Sequence, residues 1–349
     1  MDKFIYERAT YKVAFRLEGG HHLGIGHVVR CLAVARELNK RISVNILFII
    51  NNSSEIISLI EKDNFPFKVY FHNETDEVYN ILYEYNPHII VNDLPCSSVE
   101  YMEKIKTLCP TINYDDGGGG CIHADYLIHV TYKTFTRLLG NKGYIYGPEY
   151  LILRDEFFLH RVKASYRIIN NDGLKILITM GGSDPANLTI RALKDIQKIK
   201  NHLEIKIITG VGYRYHTELE QCIRESKHKV FLYKNVNVDQ LLNLMTQADI
   251  GIVHYGITAY EMACVGLPFV AIAHNSDEFT KNRLIEYGFC LDAGLCDNLN
   301  ESDIPFCVNK LLNNKKFREQ LSKNGMNRVD AKGLIRIVNL VIDVLEKRA

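Results

Sequence analysis

A histidine stands where a glycine-rich loop becomes a helix. The segment GIGHVVR, from Gly24 to Arg30, places His27 in the first turn of that helix and Arg30 one turn further on. A neutral imidazole can accept a proton at pH 7, so His27 is a candidate general base. The segment is not a dinucleotide-binding loop, because that fingerprint needs a third glycine where this chain has Val29. The alternative is that His27 only caps the helix or packs in a turn.

A second glycine loop has the sequence GGSDPAN, residues 181–187. The two glycines allow the backbone to approach a ligand closely. Ser183 or Asp184 can cap the following helix, and Pro185 suits its first turn. A helix start presents free N–H groups and a partial positive charge, which suits a phosphate group. The P-loop pattern is absent, and a well-capped turn without a ligand is the alternative.

The third loop, HYGITAYEMACVGLP, covers residues 254–268. Gly256 and Thr258 open a helix, and Glu261 lies one turn further in. A carboxylate in this position can accept hydrogen bonds from the ribose hydroxyls while the helix start faces the diphosphate. The alternative is that Glu261 only complements the helix dipole.

Asp115 and Asp116 precede four glycines and raise the question of a metal site. No second carboxylate or histidine stands at a recognised ligand spacing, and His21 and His22 do not form an H-E-x-x-H motif. The segment therefore favours a turn that contributes to a substrate loop. We expect neither a metal ion nor a cofactor.

The elements that position these loops alternate along the whole chain. Apolar runs predict buried strands, and the segment after the first loop has the apolar periodicity of a helix, with Val28, Cys31, Leu32, Ala35 and Leu38 on one face. The strand–helix pattern restarts at LKILITM, residues 174–180. It predicts an α/β fold with two Rossmann-like doubly wound domains, residues 1–155 and 156–349, and an interdomain cleft. The predicted strands of the first domain are residues 11–17, 44–50, 88–93 and 125–130.

The composition restricts the class of protein. The 349 residues carry a formal net charge of +1, which argues against electrostatic binding to nucleic acid. No apolar run has the length of a membrane span, and the N-terminal residues lack the pattern of a secretory signal. The nine cysteines are scattered without a C-x-x-C pair, which is typical of reduced thiols. We expect a monomeric cytoplasmic protein.

Several segments, taken together, resemble one family. RLEGGHHLGIGHVVRCLAVA (residues 16–35) is similar to the opening motif of the nucleotide-sugar hydrolases of pseudaminic acid biosynthesis and of related spore-coat polysaccharide proteins. NYDD followed by ADYLI (residues 113–128) resembles the middle motif of this family, and GPEYLILRDEF (residues 147–157) resembles the next segment. GGSD (residues 181–184) and GITAYE (residues 256–261) complete the set in the same order.

The resemblance implies a glycosyltransferase-B-like fold and hydrolysis of a UDP-linked 2,4-diacetamido-2,4,6-trideoxy sugar to UDP and the free sugar. It makes His27 the catalytic residue, because His27 matches the histidine of the family's G-x-G-H motif. The motifs assign sugar binding to Arg16, Gly24, Gly26, Arg30, Asp116 and Asn282. They assign nucleotide binding to Gly181, Gly182, Ser183, Asn187, Gly256, Ile257, Thr258 and Glu261.

The chain also departs from the family pattern. Four glycines follow Asp116 where leucine and polar residues are common, and Tyr260 stands where asparagine is frequent. The run HNSDEFTKN (residues 274–282) lacks the usual glutamine. These changes lie in loops that would touch the sugar, so they bear on which sugar is the substrate. Because the sequence does not separate water from a sugar acceptor, an inverting glycosyltransferase, in which His27 deprotonates an acceptor hydroxyl, is the alternative function. A nucleotide-sugar binding protein without catalysis is a second alternative.

Overall fold

A computed structural model describes residues 10–20, 25–71, 74–130, 143–163, 167–169, 174–276, 279 and 284–347. Its internal contacts divide the chain into two units. Unit 1 takes in the residues up to Ile152 together with those from Gly333 onward, and unit 2 runs from Leu153 to Lys332. Among the described residues, no helix has both the length and the apolar character needed to cross a membrane.

Unit 1 contains a parallel sheet of seven strands within the described residues, in the order β3-β2-β1-β4-β5-β6-β7. The strand order reverses between β1 and β4, where Leu17 pairs with Asp93. The strands are β1 Tyr11–Leu17, β2 Val44–Asn51, β3 Phe67–Tyr70, β4 Ile89–Asp93, β5 Thr111–Tyr114, β6 Tyr126–His129 and β7 Tyr144–Tyr146.

Helices cover the sheet of unit 1. Those ahead of residue 110 are α1 Gly26–Arg41, α2 Ser54–Lys62, α3 Glu74–Tyr85 and α4 Val99–Ile105, and short 3₁₀ turns follow at Gly119–His123 and Pro148–Tyr150. The predicted apolar face of α1 is confirmed, because Val28, Cys31, Leu32, Ala35 and Leu38 are all buried. The four predicted strands of this domain are confirmed as well, with ends that differ by at most one residue.

Unit 2 contains a second parallel sheet, with six strands within the described residues in the order β10-β9-β8-β11-β12-β13. The strands are β8 Lys175–Thr179, β9 Glu204–Thr209, β10 Lys229–Lys234, β11 Ile250–His254, β12 Phe269–Ala273 and β13 Cys290–Leu295. The helices are α5 Asp155–Lys163, α6 Leu188–Ile196, α7 His216–Arg224, α8 Val238–Gln247, α9 Ile257–Cys264, and two further helices, Asp303–Leu312 and Lys315–Arg328. The strand order again reverses beside β8.

The last helix, Gly333–Glu346, belongs to unit 1 and not to the second domain that the sequence predicted. It packs on α1 and β4. Arg336 donates a hydrogen bond to the carbonyl of Glu149 at 2.7 Å. At Gly333 a β-carbon would lie 2.1 Å from the carbonyl oxygen of Leu151, so only glycine fits. The sequence shows that this helix is amphipathic but does not show which sheet it covers, and for this reason the predicted division at residue 155 was incomplete.

Candidate functional site

The loop between β1 and α1 leads to the edge of the unit 1 sheet at which ligands usually bind. In open parallel sheets this is the carboxyl edge, at the point where the strand order reverses. Helix α1 begins at Gly26, and no side chain caps its first N–H groups. His27 is the second residue of the helix, which places its imidazole at this edge. Gly24, which the motif assigned to the same site, lies outside the described residues.

His27 is held by a carboxylate. Its Nδ1 lies 2.7 Å from Oδ1 of Asp93, the last residue of β4. Nη2 of Arg30 also lies 3.1 Å from Nδ1, but this nitrogen donates to Asp93 at the shorter distance of 2.6 Å. An ionised carboxylate only accepts hydrogen bonds, so Nδ1 donates to Asp93 and carries the proton of the neutral ring. Nε2 is then the basic nitrogen, and no described residue forms a hydrogen bond with it. The His27 side chain remains 17% exposed.

Arg30 supplies the charge that keeps Asp93 ionised. Its Nε donates to Oδ2 of Asp93 at 2.7 Å and its Nη2 donates to Oδ1 at 2.6 Å. Burial acts to raise the pKa of Asp93, but the Arg30 guanidinium and the His27 hydrogen bond hold that pKa below its ordinary value. Tyr114 packs its ring 5.0 Å from the guanidinium carbon. The guanidinium of Arg30 is therefore engaged by the carboxylate of Asp93. The direct contact with a sugar that the motif predicts for Arg30 stays a prediction.

Sequence reasoning missed Asp93. The residue closes the predicted strand HIIVND, and nothing nearby in the sequence connects it with His27, 66 positions away. The available signal was a charged residue at the carboxyl end of a strand that begins with three apolar residues.

Two residues predicted to bind the sugar are fully buried. Arg16 has no exposed surface, and its guanidinium carbon lies 4.7 Å from the ring of Tyr70 and 5.2 Å from that of Tyr101. The guanidinium is thus packed between tyrosine rings, and its predicted direct binding to the sugar stays a prediction. The physical reason for this burial is that β1 is an inner strand and residue 16 points into the protein.

Asp116 is the second buried residue among those predicted to bind the sugar. Its carboxylate has no exposed surface and accepts hydrogen bonds from the Ser97 N–H at 2.9 Å, the Ser97 hydroxyl at 2.5 Å and Asn113 Nδ2 at 2.7 Å. The glycines after it pack against the same loop, because a β-carbon at Gly118 would lie 2.2 Å from the carbonyl oxygen of Ser97. Asp116 therefore fixes the loop after β4, and its predicted contact with the sugar stays a prediction.

The GGSD loop of unit 2 follows β8. Gly181 has a φ of +77°, a conformation that favours glycine, and Gly182 and Ser183 are exposed. The prediction that Asp184 caps the helix is confirmed, because its carboxylate accepts from the N–H groups of Leu188 at 2.8 Å and Thr189 at 2.9 Å. The prediction that the helix begins near Pro185 was wrong, since α6 begins at Leu188.

This cap changes what the loop can bind. The carboxylate of Asp184 already occupies the N-terminus of α6, so a diphosphate is not expected there. Any phosphate contact from this loop must come from the exposed backbone of Gly182 and Ser183. Asn187 precedes α6 with a φ of +52°, and its Oδ1 accepts from the Tyr213 hydroxyl at 3.2 Å.

The start of α9 is open by comparison. Gly256 is its N-cap and no side chain caps the helix, while Ile257 is 42% exposed and Thr258 half-buried. Glu261 lies one turn further in and is 4% exposed. Burial raises the pKa of Glu261, although Arg154 opposes this effect.

Arg154 lies in the family segment GPEYLILRDEF, but the sequence predicted no role for it. Its Nη2 and Nε both donate to Oε1 of Glu261, at 2.7 Å and 3.1 Å. No described residue donates to Oε2 of Glu261. Arg154 therefore orients the Glu261 carboxylate through Oε1, while Oε2 can accept a further hydrogen bond.

The two glycine loops enclose the ring of His254, the last residue of β11. A β-carbon at Gly181 would lie 2.7 Å from its Nε2, and one at Gly256 would lie 2.4 Å from its Cε1. The ring stacks on His274 with a centroid distance of 4.5 Å. Burial and the neighbouring His274 lower the pKa of His254 to about 4, so the ring is neutral at pH 7. Both glycines are thus required by packing around this ring.

Asn282, the remaining predicted sugar-binding residue, lies outside the described residues. Within the part of the chain that the structure describes, no group of three or more histidine, cysteine or acidic residues is arranged to hold a metal ion.

Comparisons with known proteins identify the type of fold. No family model matches the chain. It is similar to the spore coat polysaccharide biosynthesis protein SpsG of Bacillus subtilis, with 26% identity over 341 residues that cover 95% of this chain and 97% of SpsG. The structure of MurG from Acinetobacter baumannii matches with a TM-score of 0.69 and 12% identity, over 95% of this chain and 99% of MurG.

The structure of Anabaena HepE in complex with UDP matches with a TM-score of 0.62 and 11% identity, over 96% of this chain and 100% of HepE. The chain has a glycosyltransferase-B-like fold. This fold confirms the predicted class, an α/β protein with two Rossmann-like domains, each carrying a parallel sheet.

Proposed function

We propose that this protein hydrolyses a UDP-linked diacetamido-trideoxy sugar, or a similar nucleotide-activated amino sugar, with His27 as the general base. The observation that carries the proposal is the pair of His27 and Asp93, in which Nδ1 lies 2.7 Å from the carboxylate and Nε2 forms no hydrogen bond with any of the described residues. The similarity to SpsG, named for spore coat polysaccharide biosynthesis, and to a structure that holds UDP supports a nucleotide sugar as the substrate.

The reaction follows from the leaving group. Nε2 of His27 takes a proton from water, and the water oxygen attacks the anomeric carbon opposite the nucleotide. The bond between this carbon and the phosphate oxygen breaks, and UDP leaves as an anion that needs no proton. The product is the free sugar with an inverted anomeric centre. Asp93 stays ionised and holds the imidazolium that forms.

Unit 2 supplies the nucleotide contacts in this proposal. The uncapped N–H groups at the start of α9, around Gly256, Ile257 and Thr258, bind the diphosphate. The backbone of Gly182 and Ser183 contributes further donors. Gly181 supports these contacts by admitting the ring of His254. Oε2 of Glu261 accepts from the ribose, and UDP as the nucleotide comes from the family resemblance and from HepE.

A glycosyltransferase is the second candidate. The likeness to MurG favours it, because the same His27 nitrogen can deprotonate a sugar hydroxyl in place of water. The two candidates differ only in the acceptor.

The proposal predicts that UDP is released from a UDP-amino sugar without an added acceptor. In water labelled with ¹⁸O, the label is expected in the sugar product, because the water oxygen attacks carbon. Mass spectrometry of both products measures its position. Label found only in UDP would mean attack at phosphorus and would contradict the mechanism. UDP release only after an acceptor is added would identify a transferase, and binding without turnover would identify a binding protein.

A second prediction concerns the ribose. The Glu261→Gln substitution is expected to weaken UDP binding about 10-fold or more, since hydrogen bonds to charged groups contribute about 1.5–3 kcal/mol. Binding of 2′-deoxy-UDP is expected to change less, so the preference for UDP over 2′-deoxy-UDP shrinks. Isothermal titration of both nucleotides measures this preference. The matched control is Glu301→Gln, which alters an exposed pair with Lys198 of unit 2. An unchanged preference in Glu261→Gln would remove Glu261 from the ribose site.

A further inference from the structure

Glu18 lies at the same edge of unit 1 as His27 but has no part in the proposed mechanism. It follows Leu17, the last residue of β1 and the strand partner of Asp93. Its side chain is 23% exposed, in contrast to the fully buried Arg16 two residues earlier.

The Glu18 carboxylate is held through one oxygen. Arg16 Nη2 donates to Oε1 at 3.3 Å, and the Tyr70 hydroxyl donates to the same oxygen at 2.6 Å. None of the described residues forms a hydrogen bond with Oε2. The carboxylate therefore has a fixed orientation and an unused acceptor.

The backbone beside Glu18 is also fixed. The Gly19 N–H donates to Oδ1 of Asn51 at 3.1 Å, and Nδ2 of Asn51 donates to the Gly19 carbonyl at 3.0 Å. Gly20 has a φ of +123°, and a β-carbon there would lie 2.9 Å from the hydroxyl oxygen of Ser53. Only glycine suits this position, so the chain leaves β1 along a single path.

Stability alone is a weak reason for this arrangement. Removing a guanidinium from water is costly, and the partly exposed Glu18 carboxylate, one of several contacts of Arg16 beside the rings of Tyr70 and Tyr101, returns only part of that cost. By contrast, a recognition site needs ligand contacts that are held rigidly in place. A buried guanidinium that orients a partly exposed carboxylate meets this need.

The chemistry of a carboxylate selects its ligand. An ionised carboxylate only accepts hydrogen bonds and repels phosphate, so it suits the neutral, donor-rich part of a nucleotide sugar. We infer that Oε2 of Glu18 accepts a hydrogen bond from a hydroxyl or an acetamido N–H of the sugar and thereby selects the sugar. This inference rests on the proposed function, since it assumes a nucleotide sugar at the His27 edge.

The test measures binding without turnover. His27→Asn serves as the parent, and His27→Asn/Glu18→Gln is compared with it by isothermal titration of a UDP-diacetamido sugar and of UDP. We expect the affinity for the UDP-sugar to fall about 10-fold or more in the double variant, because it loses a hydrogen bond between the sugar and a charged group. The affinity for UDP is expected to stay unchanged. Equal UDP-sugar affinities in the two proteins would overturn the role of Glu18 alone.

Sugar analogues separate recognition from a structural effect. In each analogue one donor is removed, either a hydroxyl or the N–H of one acetamido group. The analogue that lacks the donor bound by Glu18 is expected to bind both proteins equally, while the others lose affinity in the double variant. A uniform loss for every analogue would show that Glu18 acts through the fold and would overturn the inference. A parent that binds UDP but no UDP-sugar would instead overturn the proposed function, and the inference with it.

Discussion

Replacement of His27 by asparagine is expected to lower turnover by about 10²–10⁴-fold, the range that general-base catalysis contributes. Asparagine can still donate a hydrogen bond to Asp93 but cannot take a proton from water. The affinity for UDP is expected to remain unchanged, because the proposed nucleotide contacts belong to unit 2. Steady-state kinetics together with titration of UDP measure both quantities.

The control for His27 is His22→Ala, since His22 precedes the G-x-G-H motif in the sequence. If His22→Ala abolished turnover while His27→Asn did not, His27 would not be the base.

The second large effect is expected at Asp93. Asp93→Asn replaces the acceptor that holds Nδ1 of His27 and leaves the guanidinium of Arg30, 16% exposed, without its counter-charge. Breaking such a buried pair costs about 3–5 kcal/mol in the free energy of unfolding. We expect a loss of this size in urea denaturation, together with a fall in turnover of about 10²–10⁴-fold, the general-base contribution.

Two further variants separate the structural effect from the chemical one. Asp63→Asn breaks the exposed pair with Arg36 in the same unit and is expected to cost less than about 1 kcal/mol. Arg30→Met/Asp93→Asn removes both charges, so its stability is expected to recover in part while its turnover stays low. Full turnover in either variant that lacks Asp93 would contradict the role of this residue.

The sign of the pH dependence follows from the lowered pKa of Asp93. The stabilisation from its ionised form is complete above the ordinary aspartate pKa of about 3.9 and is lost as the pH falls through the lower pKa of the folded state. Acid therefore destabilises the wild-type protein more steeply than Asp93→Asn in this range.

Local patterns predicted the elements well. The apolar run from Tyr11 to Leu17 is a strand with those bounds, and the periodic apolar residues after Gly26 form the buried face of α1. The position of His27 in the first turn of a helix follows from these two patterns together.

The features that the sequence did not predict depend mostly on contacts between residues that are distant in the chain. The hydrogen bond of His27 and Asp93 depends on β1 pairing with β4, and apolar runs do not specify which strands are neighbours. Arg16 and Asp116 were predicted as ligand contacts because they are polar residues within motifs. Their burial depends on tyrosine rings and loops that are distant in the sequence. The start of α6 was misplaced because the cap, Asp184, lies four residues ahead of the first helical residue.

The position of the last helix has a consequence for the order in which the protein is made. Ribosomes extend chains from the N-terminus, and domains generally fold as units when their residues have emerged. Gly333–Glu346 supports α1 and β4, the elements that carry His27 and Asp93, yet it is synthesised after all of unit 2. Unit 2, to which the nucleotide contacts are assigned in the proposed function, can therefore finish folding during translation, whereas unit 1 is completed only after unit 2 has been made. If the proposed function holds, an unfinished chain is expected to bind nucleotide before it is able to cleave the sugar from it.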